Sequence, residues 1–215
     1  MRRLMLTMLV GMMALGAMAG GGEFTVQGWF LCEGDSVKLQ IVDCDYQLLY
    51  EVTRAASAEM LDLSFDLKDA ALLIVVDGQE GYQRHHTVPA VPGDTVLFYM
   101  EGEPYYGLGG SQFYIDYDEA VQAIEPQAIE LFEQDAYSDR YLEVLNNYED
   151  ALLTYVKEHP DQEASVALLA IFAEDEAIIQ GETILTERVR NSVVANLFKV
   201  KLAAAKERSL MMPQY

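Results

Sequence analysis

The sequence predicts an α+β protein: an N-terminal antiparallel β-sandwich followed by a C-terminal α-helical half. Three observations predict it. Apolar residues recur with a period of two from Glu23 to about Met100, the spacing of half-buried strands. The period lengthens to that of an amphipathic helix from about Asp116 onward. Turn-forming runs such as Glu33-Gly34-Asp35, Asp77-Gly78 and Pro92-Gly93-Asp94 divide the first half into short pieces.

The elements follow in order. Arg2 and Arg3 open a short positive start, Leu4 to Leu15 is apolar, and Ala17-Met18-Ala19 supplies small residues before Gly20. This is the layout of a cleavable signal peptide over residues 1–19, with an apolar run too short to span a bilayer. Gly20 stands where a lipoprotein would carry Cys, so the expectation is a soluble periplasmic or secreted protein with no membrane insertion after cleavage.

Residues 20–115 are expected to form the sandwich. Phe24 to Phe30 is aromatic and β-branched, and Val37, Leu39 and Ile41 alternate with Lys38 and Gln40. Leu48 to Thr53 is a third strand, and Leu61, Leu63, Phe65 and Leu67 mark a fourth. Leu72 to Val76 is continuously apolar, as in a strand buried on both faces. His86 to Val88 and Thr95 to Met100 flank the Pro92 turn. The Gly- and Tyr-rich stretch from Glu101 to Tyr117 is the nearest thing to a linker.

Residues 116–215 are expected to be helical. A first helix lies between Asp118 and Gln134, with Pro126 starting its second part or kinking it. Tyr137, Tyr141, Val144, Tyr148, Leu152 and Tyr155 give the next an aromatic stripe. Asp161 is placed to cap a third helix running through Val166 to Ile179, with Gly181 as its breaker. A last long helix carries Ile184 to Val200.

Composition narrows the function classes. The chain has 215 residues, with 14 basic against 35 acidic side chains and a net charge of −21. Loss of residues 1–19 would remove two Arg and leave 12 basic residues, or −23. Nucleic acid and anionic lipid would be repelled. At 51% hydrophobic residues the chain can still build a core.

Candidate chemistry is sparse. Cys32 and Cys44 do not form a redox CxxC pair. If Glu33 to Asp35 turned a hairpin, its two ends would lie roughly 26 Å apart, too far for a disulfide. Two unpaired, largely buried thiols are therefore expected. His85 and His86 would point to opposite faces of a strand, and His159 lies in the helical half, so no metal site is expected. Asp43-Cys44-Asp45 and Asp116-Tyr117-Asp118 lack the Gly and Glu positions of an EF-hand loop. Glu174-Asp175-Glu176 reads as a solvated helix end. Gly107 to Gly110 lacks a βαβ context, and Phe113 replaces the last Gly of a nucleophile elbow around Ser111. No catalytic residue and no cofactor are expected. Trp29, the sole Trp, reads as core. The dense aromatics Tyr99, Tyr105, Tyr106, Tyr114 and Tyr117 either glue sandwich to helices or form a partner or ligand surface.

Several short motifs point to one family. Phe24-Thr25-Val26-Gln27-Gly28, Gly34-Asp35-Ser36-Val37-Lys38-Leu39, Val91-Pro92-Gly93-Asp94-Thr95-Val96, Gly110-Ser111-Gln112-Phe113 and Tyr155 to Asp161 together resemble the DUF4369 domain. That domain is found at the N-terminus of exported thiol–disulfide oxidoreductases of the Bacteroides group, of AhpC/TSA or TlpA-like type. The longer relatives continue into a thioredoxin-like domain with a reactive CxxC, which has no counterpart in this sequence. The resemblance therefore implies an exported, non-catalytic accessory or interaction module, with a thioredoxin-like or other envelope protein as partner. A periplasmic small-ligand or glycan binder using the Tyr-rich junction is the alternative.

Overall fold

The computed structural model describes residues 21–31, 35–79, 82–101 and 106–211. The expected signal peptide, Cys32 and Tyr105 lie outside them. The fold is α+β, with strands N-terminal and helices C-terminal. The strands are β1 (Gly22–Leu31), β2 (Ser36–Val42), β3 (Leu48–Ala55), β4 (Ser57–Leu67), β5 (Ala71–Gln79), β6 (Tyr82–Ala90), β7 (Thr95–Glu101) and β8 (Tyr106–Gly110). The helices are α1 (Gln112–Phe132), α2 (Tyr141–Glu158), α3 (Glu163–Phe172), α4 (Asp175–Ile184), α5 (Glu187–Arg190) and α6 (Ala195–Met211).

Two four-stranded sheets face each other. Sheet A has the order β4-β1-β7-β8, and sheet B the order β3-β2-β5-β6. Alternation decides which side chains meet between them. Phe24, Val26 and Phe30 of β1 join Val96, Phe98 and Met100 of β7 on the inner face of sheet A. Val37, Leu39, Ile41, Leu73, Val75 and Val88 answer from sheet B. Gly28 shares the inward parity, and a Cβ there would come within 2.1 Å of the Phe98 carbonyl oxygen. The absence of a side chain lets β1 and β7 approach.

Two expectations change at this level. The sandwich is not wholly antiparallel, because β1 runs parallel to β7 from Thr25↔Thr95 to Leu31↔Glu101. Nor do β1 and β2 form a hairpin, since they belong to different sheets. The hairpin geometry assumed for Cys32 and Cys44 therefore does not apply. Cys44 makes no disulfide and is half-buried.

The expected linker contains β8, which pairs antiparallel with β7. Gly110 then turns the chain at φ +109°, and a Cβ there would lie 2.2 Å from the Thr95 carbonyl oxygen. Only glycine fits that turn without strain. Helix α1 starts directly afterwards and contains Pro126 in its interior.

Helix boundaries also shift. The expected helix through Ile179 is divided at Ala173 and Glu174, where the backbone is extended. Gly181 is not a breaker. It is buried inside α4, where a Cβ would meet Leu169 Cδ1 at 2.4 Å, so it sets the contact between α3 and α4. Asp161 does not cap α3, whose N-cap position is Gln162. The expected last helix is two, α5 and α6.

The sandwich core and the helical core form one continuous hydrophobic cluster. Helices α3 and α6 also pack on one end of sheet B's outer face, where Ile171 and Leu197 meet Val42 and Leu72. No helix of the described residues is long and apolar enough to cross a membrane.

Candidate functional site

Helix α1 closes the side of the sandwich where the edge strands β6 and β8 lie. Tyr114 donates to the Pro89 carbonyl at 2.8 Å, and Tyr117 donates to the Thr87 carbonyl at 3.4 Å. The Leu108 amide donates to Asp118 at 3.1 Å. Backbone groups that would otherwise be left open at two sheet edges are thereby engaged by one helix. Phe113 stacks on Tyr117 and meets Tyr114 edge-on.

This arrangement sorts the five tyrosines. Tyr114 and Tyr117 have no solvent exposure, so they are sandwich-to-helix glue and not a partner surface. Tyr106 is half-buried against His86 and Phe98, and burial pushes its hydroxyl up to about 12. Tyr99 is 50% exposed. The described four are thus divided between core and surface.

Asp77 and Asp94, two of the ionisable groups that the fold buries, have structural partners. Asp77, on the inner face of sheet B, is held by two Arg84 hydrogen bonds of 2.7 and 3.3 Å. His86 Nε2 lies 3.4 Å from the same carboxylate, without the alignment of a hydrogen bond. Burial depresses its protonation, and Asp77 opposes this. Ser111 donates to Asp94 at 3.1 Å beside the α1 N-terminus, and burial raises that carboxyl. His85 is exposed on the opposite face of β6 from His86, as expected for strand neighbours.

The remaining motifs are local structure. Asp43 accepts from the amides of Asp45 and Gln47, which folds the β2–β3 turn. Asp116 accepts from Gln112 one helical turn away. Glu174 to Glu176 begin α4, and Asp175 pairs with Arg208 at 2.6 Å. Asp161, in the turn before α3, is tied to the start of α5 through Thr186 and Arg188. Among the described residues no three His, Cys, Asp or Glu side chains are grouped to hold a metal ion.

The feature that sequence reading missed is the outer face of sheet A. Trp29 is 39% exposed and is not core; Leu31 is 40% exposed beside it. Trp29 pairs with Tyr99 across the parallel ladder, ring centroids 6.3 Å apart and nearly perpendicular. Gly107 and Gly109 on β8 add no side chains to this face, so it is flat there. Where β4 faces Thr25 and Gln27 the surface is polar: Thr25 bonds Ser64 at 3.1 Å, and Gln27 donates to Asp62 at 3.3 Å. The signal was present in the parity of β1. Glu23, Thr25, Gln27 and Trp29 alternate with buried Phe24, Val26, Gly28 and Phe30.

No known family model matches this chain, and no curated protein matches it. The DUF4369 resemblance rests on its short motifs. The Pro92-Gly93-Asp94 motif forms the β6–β7 turn, with Gly93 at φ +85° and the Asp94 amide bonded to the Val91 carbonyl.

Proposed function

We propose that this chain is an exported, non-catalytic interaction module that holds a partner protein on the outer face of sheet A. The observation that carries it is the Trp29–Tyr99 pair, exposed with Leu31 on a sheet face whose inner side is fully packed. Aromatic side chains offer large contact area at low entropic cost. The use of Asp77, Asp94 and Asp118 as fold-holding acceptors supports a binding role over a catalytic one. Export is supported by the three-part layout of residues 1–19. A thioredoxin-like or other envelope protein is the partner that the DUF4369 resemblance suggests.

A small glycan is the second reading. An exposed aromatic pair beside the Thr25–Ser64 and Gln27–Asp62 groups also suits a sugar ring.

The test is capture from a periplasmic extract by the wild-type chain and by the Trp29→Ser/Tyr99→Ser variant. A stoichiometric partner lost only with the variant supports the module. Insulin reduction by dithiothreitol is run in parallel, and catalysed turnover would overturn the non-catalytic reading.

A further inference from the structure

The two sheets differ sharply in charge. Strands β1, β4, β7 and β8 contain no Lys, Arg or His. Sheet B carries Lys38, Arg54, Arg84, His85 and His86. On the outer face of sheet A, Glu23 of β1 and Asp62 and Asp66 of β4 are exposed, and their register pairs Glu23 with Asp66 and Gln27 with Asp62. Within these strands the apolar half, with Trp29, Leu31 and Tyr99, is therefore bordered by acidic side chains, and the exposed Lys68 lies just past the far end of β4.

From this we infer that the outer face of sheet A binds an extended, basic polypeptide segment of a partner protein. The inference rests on the reading of that face as a docking surface and names the chemistry of what docks. Asp62, Ser64 and Asp66 repeat along β4 at about 6.7 Å, the spacing of alternate side chains in any extended chain. Basic residues four apart in a strand-like segment would face Asp62 and Asp66, with the position between them over Ser64. The run from Asp66 to the level of Trp29 is roughly 20 Å, or about seven extended residues. At its end Trp29 and Tyr99 present π faces and edges that an arginine guanidinium can stack on. A second copy of this chain is disfavoured as occupant, because its own sheet A and its −21 charge would repel.

The sole Trp makes the face its own reporter. The full chain is titrated with a synthetic heptapeptide alternating arginine and valine, by Trp29 fluorescence and by calorimetry. A glutamate–valine peptide and a neutral oligosaccharide are titrated in parallel. The expected result is saturable binding of the basic peptide alone, weakened by salt. Asp62→Asn/Asp66→Asn should weaken it about tenfold, whereas Glu133→Gln/Glu143→Gln, which removes the same charge from exposed positions at the end of α1 and in α2, should change it less than about twofold. Equal losses in the two double variants, or binding without a Trp29 response, would overturn the proposal. So would tighter binding of the oligosaccharide, or self-association abolished by Trp29→Ser. A partner captured through Trp29 and Tyr99 but indifferent to salt and to Asp62→Asn/Asp66→Asn would overturn the basic-segment proposal and leave the docking surface standing.

Discussion

Tyr114, fully buried on α1, donates its hydroxyl hydrogen bond to the Pro89 carbonyl of β6 at 2.8 Å and accepts from the Val91 amide at 3.4 Å. One side chain therefore joins the helical half to the end of sheet B. Tyr114→Phe should keep the packing and leave the Pro89 carbonyl without this donor, costing about 1–2 kcal/mol. Tyr117→Phe should cost less, because its bond to Thr87 is 3.4 Å long. Urea denaturation of the two variants checks the order.

The parallel β1–β7 pairing depends on Gly28. Gly28→Ala would drive a Cβ into the Phe98 backbone, where nothing flexible can yield. A loss of about 3 kcal/mol is expected, at the upper end for overpacking. Gly107→Ala is the control, since a Cβ there meets nothing within 4 Å. It should leave the urea midpoint nearly unchanged.

Asp77 and Arg84 should behave as a buried pair. Arg84→Met leaves a fully buried carboxylate without its two-pronged partner and is expected to cost about 3–5 kcal/mol. Asp77→Val together with Arg84→Met should recover much of that loss, since neither charge then remains to be desolvated. The double-mutant cycle measured by denaturation gives the coupling.

Acid should stabilise the fold before it harms it. Burial raises the carboxyls of Asp94, Asp118, Glu149 and Glu163, so the folded state binds protons more readily there than the unfolded state. Their destabilising contribution is present above the raised values and is relieved as pH falls through them. His86 acts oppositely: its folded value lies below the usual 6.5, so stability is lost as pH falls below 6.5. Asp161 and Asp175, lowered by hydrogen bonds from Arg188 and Arg208, lose their contribution only below the ordinary 3.8. The urea midpoint should therefore rise as pH falls through the raised carboxyl values, against the loss that His86 brings below 6.5. His86→Phe should steepen that rise, and Asp118→Asn should flatten it.

Much of the fold was legible because alternation is a local signal. Val37, Leu39 and Ile41 announce β2 by their spacing, and all three are buried. Strand β8 was hidden because Gly107 and Gly109 supply no side chains to alternate. Pairing is not local either: nothing within Thr25 to Leu31 specifies a parallel neighbour some seventy residues later. Gly181 was misread because helix propensity disfavours glycine, while Leu169 requires the space. Trp29 was misread for the opposite reason. Residue type suggested core, and strand parity, which placed it outward, was the better guide.

The central claim is that Trp29 stands on an open binding face. Acrylamide quenching of the single Trp in the intact chain tests this most directly. Red-shifted emission and ready quenching are expected, with protection from the quencher when the arginine–valine peptide is added. Blue-shifted emission that acrylamide cannot reach in the free chain would contradict it.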